Sequence, residues 1–396
     1  MSERLDLVDL TTGRLLRELP DVDFSWDRQL RDSQINARRQ NMNEDGITSL
    51  SLPWNAFDDE TNYEQLFMPG YRGVLYSLDG VPQVLSEISD TVDDGDTIQI
   101  TLNSIRAMLD RLHVIPEQAV QDQMRGDPTA IAHAVLTING VDLGSIGKRE
   151  LIAVTQKGHA LPPISFDNDR PGNTNDHERN VRGFNLANIT AGHLLDNLAN
   201  LGPDIDIRPV MVDDRTIRLN YTWGHPQLTQ PRIWTFDWKK GAPGGDVLSC
   251  SFQRNADNLA DRVYATGGGS DEQTLVAVAQ SPRIPSDRLM REKTVSDTSI
   301  EDQGQLQNLA DNELKVSQDV QGQLTIRLAV HGVTPVSRIC PGDLADITIA
   351  GLPSMNNARA RTYRMRFMRL SGEKGNPIAT ALMDVVSATS YDILEE

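Results

Sequence analysis

The sequence has little cysteine and no long apolar run. Cys250 and Cys340 are the only cysteines among 396 residues, and no CxxC pair occurs. This excludes a disulfide scaffold and a zinc site of the usual spacing. We expect two buried free thiols, with a single disulfide between them as the alternative. No stretch approaches the roughly 18 apolar residues of a membrane-spanning helix, and the first residues contain no apolar signal segment. We therefore expect neither membrane insertion nor secretion by a signal peptide.

Aromatic side chains are also scarce, at 5% of the chain, and hydrophobic residues make up only 38%. A length of 396 residues is more than one hydrophobic core supports, so two to four domains are expected. A weak core spread over a long chain favours an oligomer in which contacts between subunits supply part of the burial.

The chain has fewer positively charged than negatively charged side chains. Lys and Arg number 38 against 56 Asp and Glu, which gives a net charge of -18. A protein that binds nucleic acid needs a local excess of positive charge, so DNA binding is disfavoured. The one basic run consists of Arg359, Arg361, Arg364, Arg366 and Arg369. Its alternation is typical of one strand face, and we interpret it as pairing with acidic partners.

Residues 1–115 are predicted to form a first β-domain of short strands closed by one helix. Alternating apolar and polar residues predict strands at 22–27, 47–54, 72–80 and 96–102. Ser104 can cap a helix with apolar residues at helical spacing, and Pro116 stops any continuation.

Residues 116–230 are predicted to form an α+β insert. Their first part, 116–183, is looser and rich in Pro, Asn, Asp and Gly around 167–180. Thr190 then caps a helix with four leucines on one side, and strands at 204–212 and 216–222 follow.

Residues 231–396 are predicted to form a second β-domain with one helix near 306–314. Strands are expected at 247–252, 262–266, 324–330, 346–349, 363–370 and 378–386, after the alternating Trp234, Phe236 and Trp238. The expected fold is therefore mainly β with an α+β insert, in several domains.

No catalytic pattern is present. The sequence contains no GxSxG, HExxH or GxxxxGK[ST] motif, and its seven histidines are scattered. We interpret His193 as a helix-surface residue and Gly267–Gly269 as a turn, since no phosphate-binding motif follows the glycines. We predict no catalytic residue and no cofactor site. The same absence disfavours a peptidoglycan hydrolase.

One loop has the spacing of a calcium site. Asp167, Asp169, Asn175 and Glu178 match oxygen-ligand positions of a calcium-binding loop. Pro171 stands where the loop needs a fifth-position ligand, and neither flank resembles an amphipathic helix. We therefore prefer a solvated loop and predict no metal site, with calcium kept as the alternative.

Six segments of the sequence follow one another in a characteristic order. They are Phe24-Ser-Trp26-Asp-Arg28, Leu112-His-Val-Ile-Pro116, the helix and hairpin of 190–222, Trp234-Thr-Phe236-Asp-Trp238, the segment 251–267, and Pro341-Gly-Asp343-Leu-Ala-Asp346. This order resembles minor tail proteins of siphoviruses that infect actinobacteria, and the wider family of tail-hub proteins. The resemblance extends over nearly the whole chain.

The resemblance implies a structural, non-enzymatic protein of the virion, located in the baseplate at the tail tip and made in the cytoplasm of the bacterial host. Two tube-like β-domains per chain, each with a flanking helix, would build a homotrimeric ring that continues the tail tube. The ring would contact the distal tail protein, fibre or other minor tail proteins, and the tape measure protein. DNA would pass through its acidic lumen without specific binding.

A receptor- or carbohydrate-binding tail module is the alternative function. Trp54, Trp223, Trp234 and Trp238 could stack on sugar rings. For Trp234 and Trp238, which alternate along one predicted strand, burial in the core is the preferred interpretation.

Overall fold

The structure is a computed structural model. It describes residues 3–30, 46–53, 57, 62–158, 161–172, 179–201, 203–224, 228, 232–242, 245–269, 271–282, 289–298, 300, 302–318, 321–355 and 360–385. The calcium-loop residues Asn175 and Glu178, and also Trp54 and Arg359, lie outside these ranges.

The described chain contains the following elements. The strands are β1 Glu3–Asp9, β2 Leu15–Glu18, β3 Ser25–Gln29, β4 Gly46–Ile47, β5 Ser49–Pro53, β6 Arg72–Leu78, β7 Val81–Asp93, β8 Thr97–Ser104, β9 Val135–Ile138, β10 Ile164–Phe166, β11 Arg179–Arg182, β12 Ile205–Asp213, β13 Thr216–Trp223, β14 Ile233–Lys239, β15 Val247–Asn255, β16 Arg262–Thr266, β17 Val276–Gln280, β18 Glu292–Ser296, β19 Gln321–Ala329, β20 Leu344–Ala350, β21 Arg361–Glu373 and β22 Ile378–Val385. The helices are α1 Tyr63–Leu66, α2 Ile105–Asp110, α3 Glu117–Met124, α4 Ala130–His133, α5 Leu143–Thr155, α6 Ala191–Asn200 and α7 Gln303–Ser317. The predicted class, mainly β with an α+β insert, is confirmed.

Two large sheets form most of the molecule. The first has the order β2-β1-β6-β7-β8-β5, and the second has the order β14-β20-β21-β22-β19-β15 with β3 and β4 added beside β21. A single hydrophobic core contains residues of both sheets, among them Tyr76 of the first and Phe367 of the second, each fully buried.

The N-terminal segment contributes a strand to the C-terminal sheet. β3 pairs antiparallel with β21, from Ser25 opposite Glu373 to Gln29 opposite Arg369. The division into 1–115, 116–230 and 231–396 stays a prediction. The first and third of these ranges share both a sheet and a core.

The insert packs against the other face of the six-stranded sheet. Its core combines α5, α6 and β13 with Val8, Leu75 and Leu85 of the sheet. A β-bridge between Arg14 and Thr216 links β2 to β13. The turn before β2 needs Gly13, which has φ +71° and would place a Cβ 2.1 Å from the Ile217 carbonyl oxygen.

The predicted helix caps are confirmed. The Ser104 hydroxyl accepts a hydrogen bond from the Ala107 amide at 3.3 Å, and the Thr190 hydroxyl accepts one from His193 at 3.4 Å. Each cap satisfies an amide that the first helical turn would leave unpaired.

The prediction of a loose stretch over 116–183 is wrong for α5, a helix of 13 residues. Gly144 and Gly147 lower the helix propensity of this segment. They are required by packing, because a Cβ at Gly144 would lie 1.9 Å from Trp223 Cδ1 and one at Gly147 would lie 2.5 Å from Tyr221 Oη. Close contact between α5 and β13 therefore overrides local propensity.

A third unit lies between β15 and β19. Strands β17, β16 and β18 form a small sheet in that order, and α7 covers one face over a core of alanines and aliphatic side chains. The sequence predicted β16 and the helix but not β17 or β18. No helix of the described chain is long and apolar enough to span a membrane.

Candidate assembly site and buried polar junction

A polar junction lies buried where β3, β7, the insert and the eight-stranded sheet meet. We define it as the buried residues Arg28, Gln83, Asp204, Asp343 and Arg366, together with the half-buried Arg208. Arg28 Nη1 donates to Gln83 Oε1 at 3.0 Å, and Gln83 Nε2 donates to the Ser337 carbonyl at 3.2 Å. Through Gln83, strand β7 is thus tied both to β3 and to the C-terminal region.

The insert enters the polar junction through Asp204. Its carboxylate pairs with Arg366 of β21 and accepts a hydrogen bond from the Leu228 amide at 2.6 Å. The side chains of Asp204 and Arg366 are only 4% and 7% exposed. Burial raises the pKa of the Asp204 carboxyl, against the opposing charge of Arg366 and the Leu228 hydrogen bond.

Asp343 anchors β14 to the same region. Its Oδ2 accepts hydrogen bonds from Trp234 Nε1 at 2.8 Å and from the Cys340 amide at 2.9 Å. Burial raises the pKa of Asp343, and the hydrogen bonds and the charges of Arg28 and Arg208 oppose this effect.

The arginine run pairs with acidic side chains of the same chain. Arg364 forms a bidentate ion pair with Asp346 at 2.8 and 2.9 Å, and Arg369 pairs with Asp27 of β3. Arg366 is the buried partner of Asp204, whereas Arg361 is exposed. The interpretation of this run as a partner of carboxylates is confirmed for Arg364, Arg366 and Arg369.

The start of the candidate calcium loop is held by cationic side chains. Lys148 Nζ lies 2.9 Å from Asp169 Oδ1 and 2.7 Å from the Asp167 carbonyl oxygen, and Arg149 Nη2 lies 2.9 Å from Asp169 Oδ2. Burial would raise the pKa of Asp169, but the hydrogen bonds and charges of Lys148 and Arg149 outweigh it and lower that pKa. Both oxygens of the Asp169 carboxylate are therefore engaged by positive charge.

Arg170 fixes the rest of this loop on the insert core. Its guanidinium lies over the Trp223 ring, 4.8 Å from the centroid, and donates to the Trp223 carbonyl at 3.2 Å. Trp223 Nε1 in turn donates to Asp142 at 3.0 Å, and Asp142 caps α5. Trp223 thus connects the loop to the start of the helix.

The described tryptophans among those considered for sugar binding are buried or partly buried within the protein. Trp223 is 1% exposed. Trp234 and Trp238 are partly buried against the large core, and Arg232 lies over the Trp234 ring at 4.7 Å. Among the tryptophans that the structure describes, none offers a fully exposed ring.

The histidine and the glycine turn that the sequence analysis considered lie in the environments that it predicted. His193 is exposed on α6, as predicted. The amides of Gly267 and Gly268 donate to the carbonyls of Leu275 and Ile300, so this glycine turn is held by backbone hydrogen bonds. Within the described ranges, no group of three or more His, Cys, Asp or Glu side chains could hold a metal ion.

Both cysteines are free thiols, as expected, but both are half-buried and not buried. Cys250 is half-buried on β15, and burial raises the pKa of its thiol to about 12. A thiol with so high a pKa has little thiolate at neutral pH and is a poor nucleophile.

Glu150 is a buried acid that the sequence analysis missed. It lies on α5 with 0% exposure, and no described residue donates a hydrogen bond to its carboxylate. Burial raises its pKa to about 7, and the charge of Arg179 opposes this effect. Periodicity could have suggested it, because Glu150 lies between Ile146, Leu151 and Val154, which are fully buried in the insert core.

Comparison with known proteins shows that the fold of this chain is similar to the folds of solved tail proteins. No protein-family model matches the chain, and no curated protein matches it in sequence. The crystal structure of the tail protein from Neisseria meningitidis MC58 has a TM-score of 0.53 at 13% identity, covering 97% of both chains. The 43 kDa tail protein of prophage MuSo2 from Shewanella oneidensis has a TM-score of 0.52 at 12% identity, covering 97% of this chain and 98% of the other. The chain therefore has the fold of these tail proteins along nearly its whole length.

Proposed function

We propose that the chain is a structural component of a bacteriophage tail, a hub protomer at the tail tip. The observation that carries the proposal is the whole-length fold similarity to two tail proteins, which covers 97% of this chain in both cases. In this proposal three copies form a ring that continues the tail tube. The ring connects the distal tail protein to fibre or tip proteins and contacts the tape measure protein.

The contacts within the chain suit a rigid ring subunit. A subunit between the tube and the tip must keep a fixed orientation of its parts. The shared core of the two large sheets and the polar junction supply that rigidity, because buried ion pairs specify one geometry by penalising others. β3, which follows the first strands of the first sheet along the chain, ties the two sheets together by its hydrogen-bonded pairing with β21.

The charge of the chain suits the passage of DNA. A net charge of -18 repels the phosphate backbone, so DNA would move through a lumen lined by this protein without specific binding. The chain would accordingly be found in the virion. Its role would be structural rather than enzymatic.

The mass of the purified full-length chain tests the proposal. Native mass spectrometry and light scattering should detect a species near 132 kDa, three times the 43.9 kDa chain, or a heavier complex with three copies of the chain when neighbouring tail proteins are added. A chain that remains a monomer in every combination would contradict the hub. Binding to glycans without assembly would favour the receptor-binding alternative, and clearing of peptidoglycan in a gel would contradict a non-enzymatic role.

A further inference from the structure

A cleft of about 290 Å³ lies between the insert and the third unit. Strand β11 and the turn that follows it form one wall, and the start of α7, at Asp302 and Gln305, forms the other. Farther along the helices α6 and α7, Asn312 Nδ2 donates to the Leu201 carbonyl at 3.3 Å. The two walls are thus joined at one end and separated at the other.

The cleft has an apolar floor and a polar rim. Val181, Ile189 and Leu194 line it and are buried. Arg182 and Phe184 also line it but are exposed, Phe184 by 62%. An exposed aromatic ring and a guanidinium beside a buried apolar surface are typical of sites that bind a peptide through apolar and acidic side chains.

The insert wall of the cleft carries positive charge. Residues 179–195 include Arg179 and Arg182 but no Asp or Glu, although the chain has a net charge of -18. Arg182 is exposed, whereas Arg179 is half-buried near Glu150. Among the described residues that line the cleft, only Asp302 is acidic, and its carboxylate caps α7 by accepting from the Gln305 amide at 2.9 Å. This local charge favours an acidic ligand.

A segment of this chain has the matching chemistry. Residues 386–396, which lie outside the described ranges, read Val386-Ser-Ala-Thr-Ser-Tyr391-Asp-Ile-Leu-Glu-Glu396. Their second half combines the apolar Tyr391, Ile393 and Leu394 with three carboxylates and contains no Lys or Arg. The apolar side chains suit the floor of the cleft, and the carboxylates suit Arg182.

The described chain also ends within reach of the cleft. β22 ends at Val385, one residue after Asp384, which lies opposite Gln323 near the start of β19. The third unit joins the large sheet at the same point, because α7 ends at Ser317 shortly before β19. From there α7, with its 15 residues, extends about 22 Å to the cleft. The chain from Val385 to Leu394 spans up to about 30 Å when extended, which is enough to follow α7.

We propose that the segment 386–396 docks into this cleft within the same chain. Its apolar side chains contact the floor, and its carboxylates lie near Arg182. The docked segment connects the last strand of the large sheet to the insert and to the third unit, so it helps to fix the orientation of these three parts. Such docking goes beyond the proposed tail function and does not require the ring.

Hydrogen exchange of the full-length chain, measured by mass spectrometry, tests the docking. The amides of 391–396 should be protected at least about tenfold relative to a synthetic peptide of residues 386–396. Arg182→Glu should reduce this protection at least about fivefold, because it places like charges together, and Phe184→Ser should reduce it by removing the aromatic contact. Arg125→Glu is the matched control. It makes the same charge change on α3, at a side chain that is 71% exposed and does not line the cleft, and it should leave the protection unchanged.

Dilution identifies the copy that supplies the segment. Docking within the chain gives protection that is independent of protein concentration. Protection that disappears when the protein is diluted to the monomer would show that the segment comes from a neighbouring copy, and it would overturn docking within the chain. A segment that exchanges as fast as the free peptide, or protection that survives both Arg182→Glu and Phe184→Ser, would overturn the cleft as its site.

Discussion

Arg366 and Asp204, 162 positions apart in the chain, form an ion pair that is buried between strand β21 and the insert. Arg364, two residues earlier on the same strand, pairs with Asp346 of the neighbouring strand at a more exposed position. The two pairs have the same chemistry. They differ in burial and in whether they join distant parts of the chain.

The Asp204–Arg366 pair should be important for stability. Asp204→Ala leaves the Arg366 charge buried without its partner, and we expect the free energy of unfolding to fall by about 3 kcal/mol. Urea denaturation measures this change. Asp346→Ala is the matched control, since the side chains of Arg364 and Asp346 are 33% and 20% exposed and the expected loss is about 1 kcal/mol or less. Equal losses would show that burial does not govern these pairs.

Glu150 should make the protein less stable at alkaline pH. Its pKa in the folded protein, about 7, is higher than the ordinary value of 4.5 that it regains on unfolding. The neutral acid therefore stabilises the fold below pH 4.5, and this contribution is lost as the pH rises through 7, by about 3 kcal/mol in total.

Glu150→Gln should remove this dependence, because glutamine does not titrate. We expect the variant to be more stable than the unmodified chain at pH 8, by up to about 3 kcal/mol, and similar to it near pH 4.5. Urea midpoints across this range give the measurement. Parallel pH profiles for the two proteins would mean that Glu150 is solvated in the folded state.

Gly144→Ala should destabilise the protein although alanine is the better helix former. The new methyl group would lie 1.9 Å from Trp223 Cδ1, and we expect a loss of about 3 kcal/mol by thermal or urea unfolding. Gly304→Ala in α7 is the control. Its Cβ would meet only the end of the Asp302 side chain at 3.1 Å, so a gain of about 0.5 kcal/mol is expected. A gain at both positions would disprove the packing argument.

Calcium should not bind at the loop that begins with Asp167. Lys148 and Arg149 already occupy both oxygens of the Asp169 carboxylate, and a divalent cation would have to displace them. Titration calorimetry with millimolar calcium should give no binding heat. Saturable heat with a stoichiometry near one would instead support the calcium alternative, and loss of that heat in Asp169→Asn would assign it to this loop.

The elements that the sequence predicted correctly depend on neighbours along the chain. β8 alternates because Ile98, Ile100 and Leu102 face the core and the residues between them face outward. Ser104 and Thr190 cap their helices through amides three residues away. Such signals are local, so the amino-acid order contains them.

β7 shows why other elements were missed. Its residues 83–88 are buried on both faces, between the large core and the insert, and this part of the strand therefore lacks alternation. Its polar residues Gln83, Ser86 and Glu87 are buried, because they bond to Arg28, the Ile47 amide and Arg111. No local rule identifies partners that lie 24 to 55 positions away.

The sequence by itself determined that this protein is mainly β, acidic and without a catalytic motif. It also determined that the run of arginines near the end of the chain pairs with carboxylates. Only the tertiary structure decided which carboxylates these are, that β3 joins the C-terminal sheet, and that a segment with two glycines is a helix. Alternation and caps are set by residues a few positions apart. Ion-pair partners, shared sheets and the close packing of Gly144 on Trp223 depend on residues that only folding brings together.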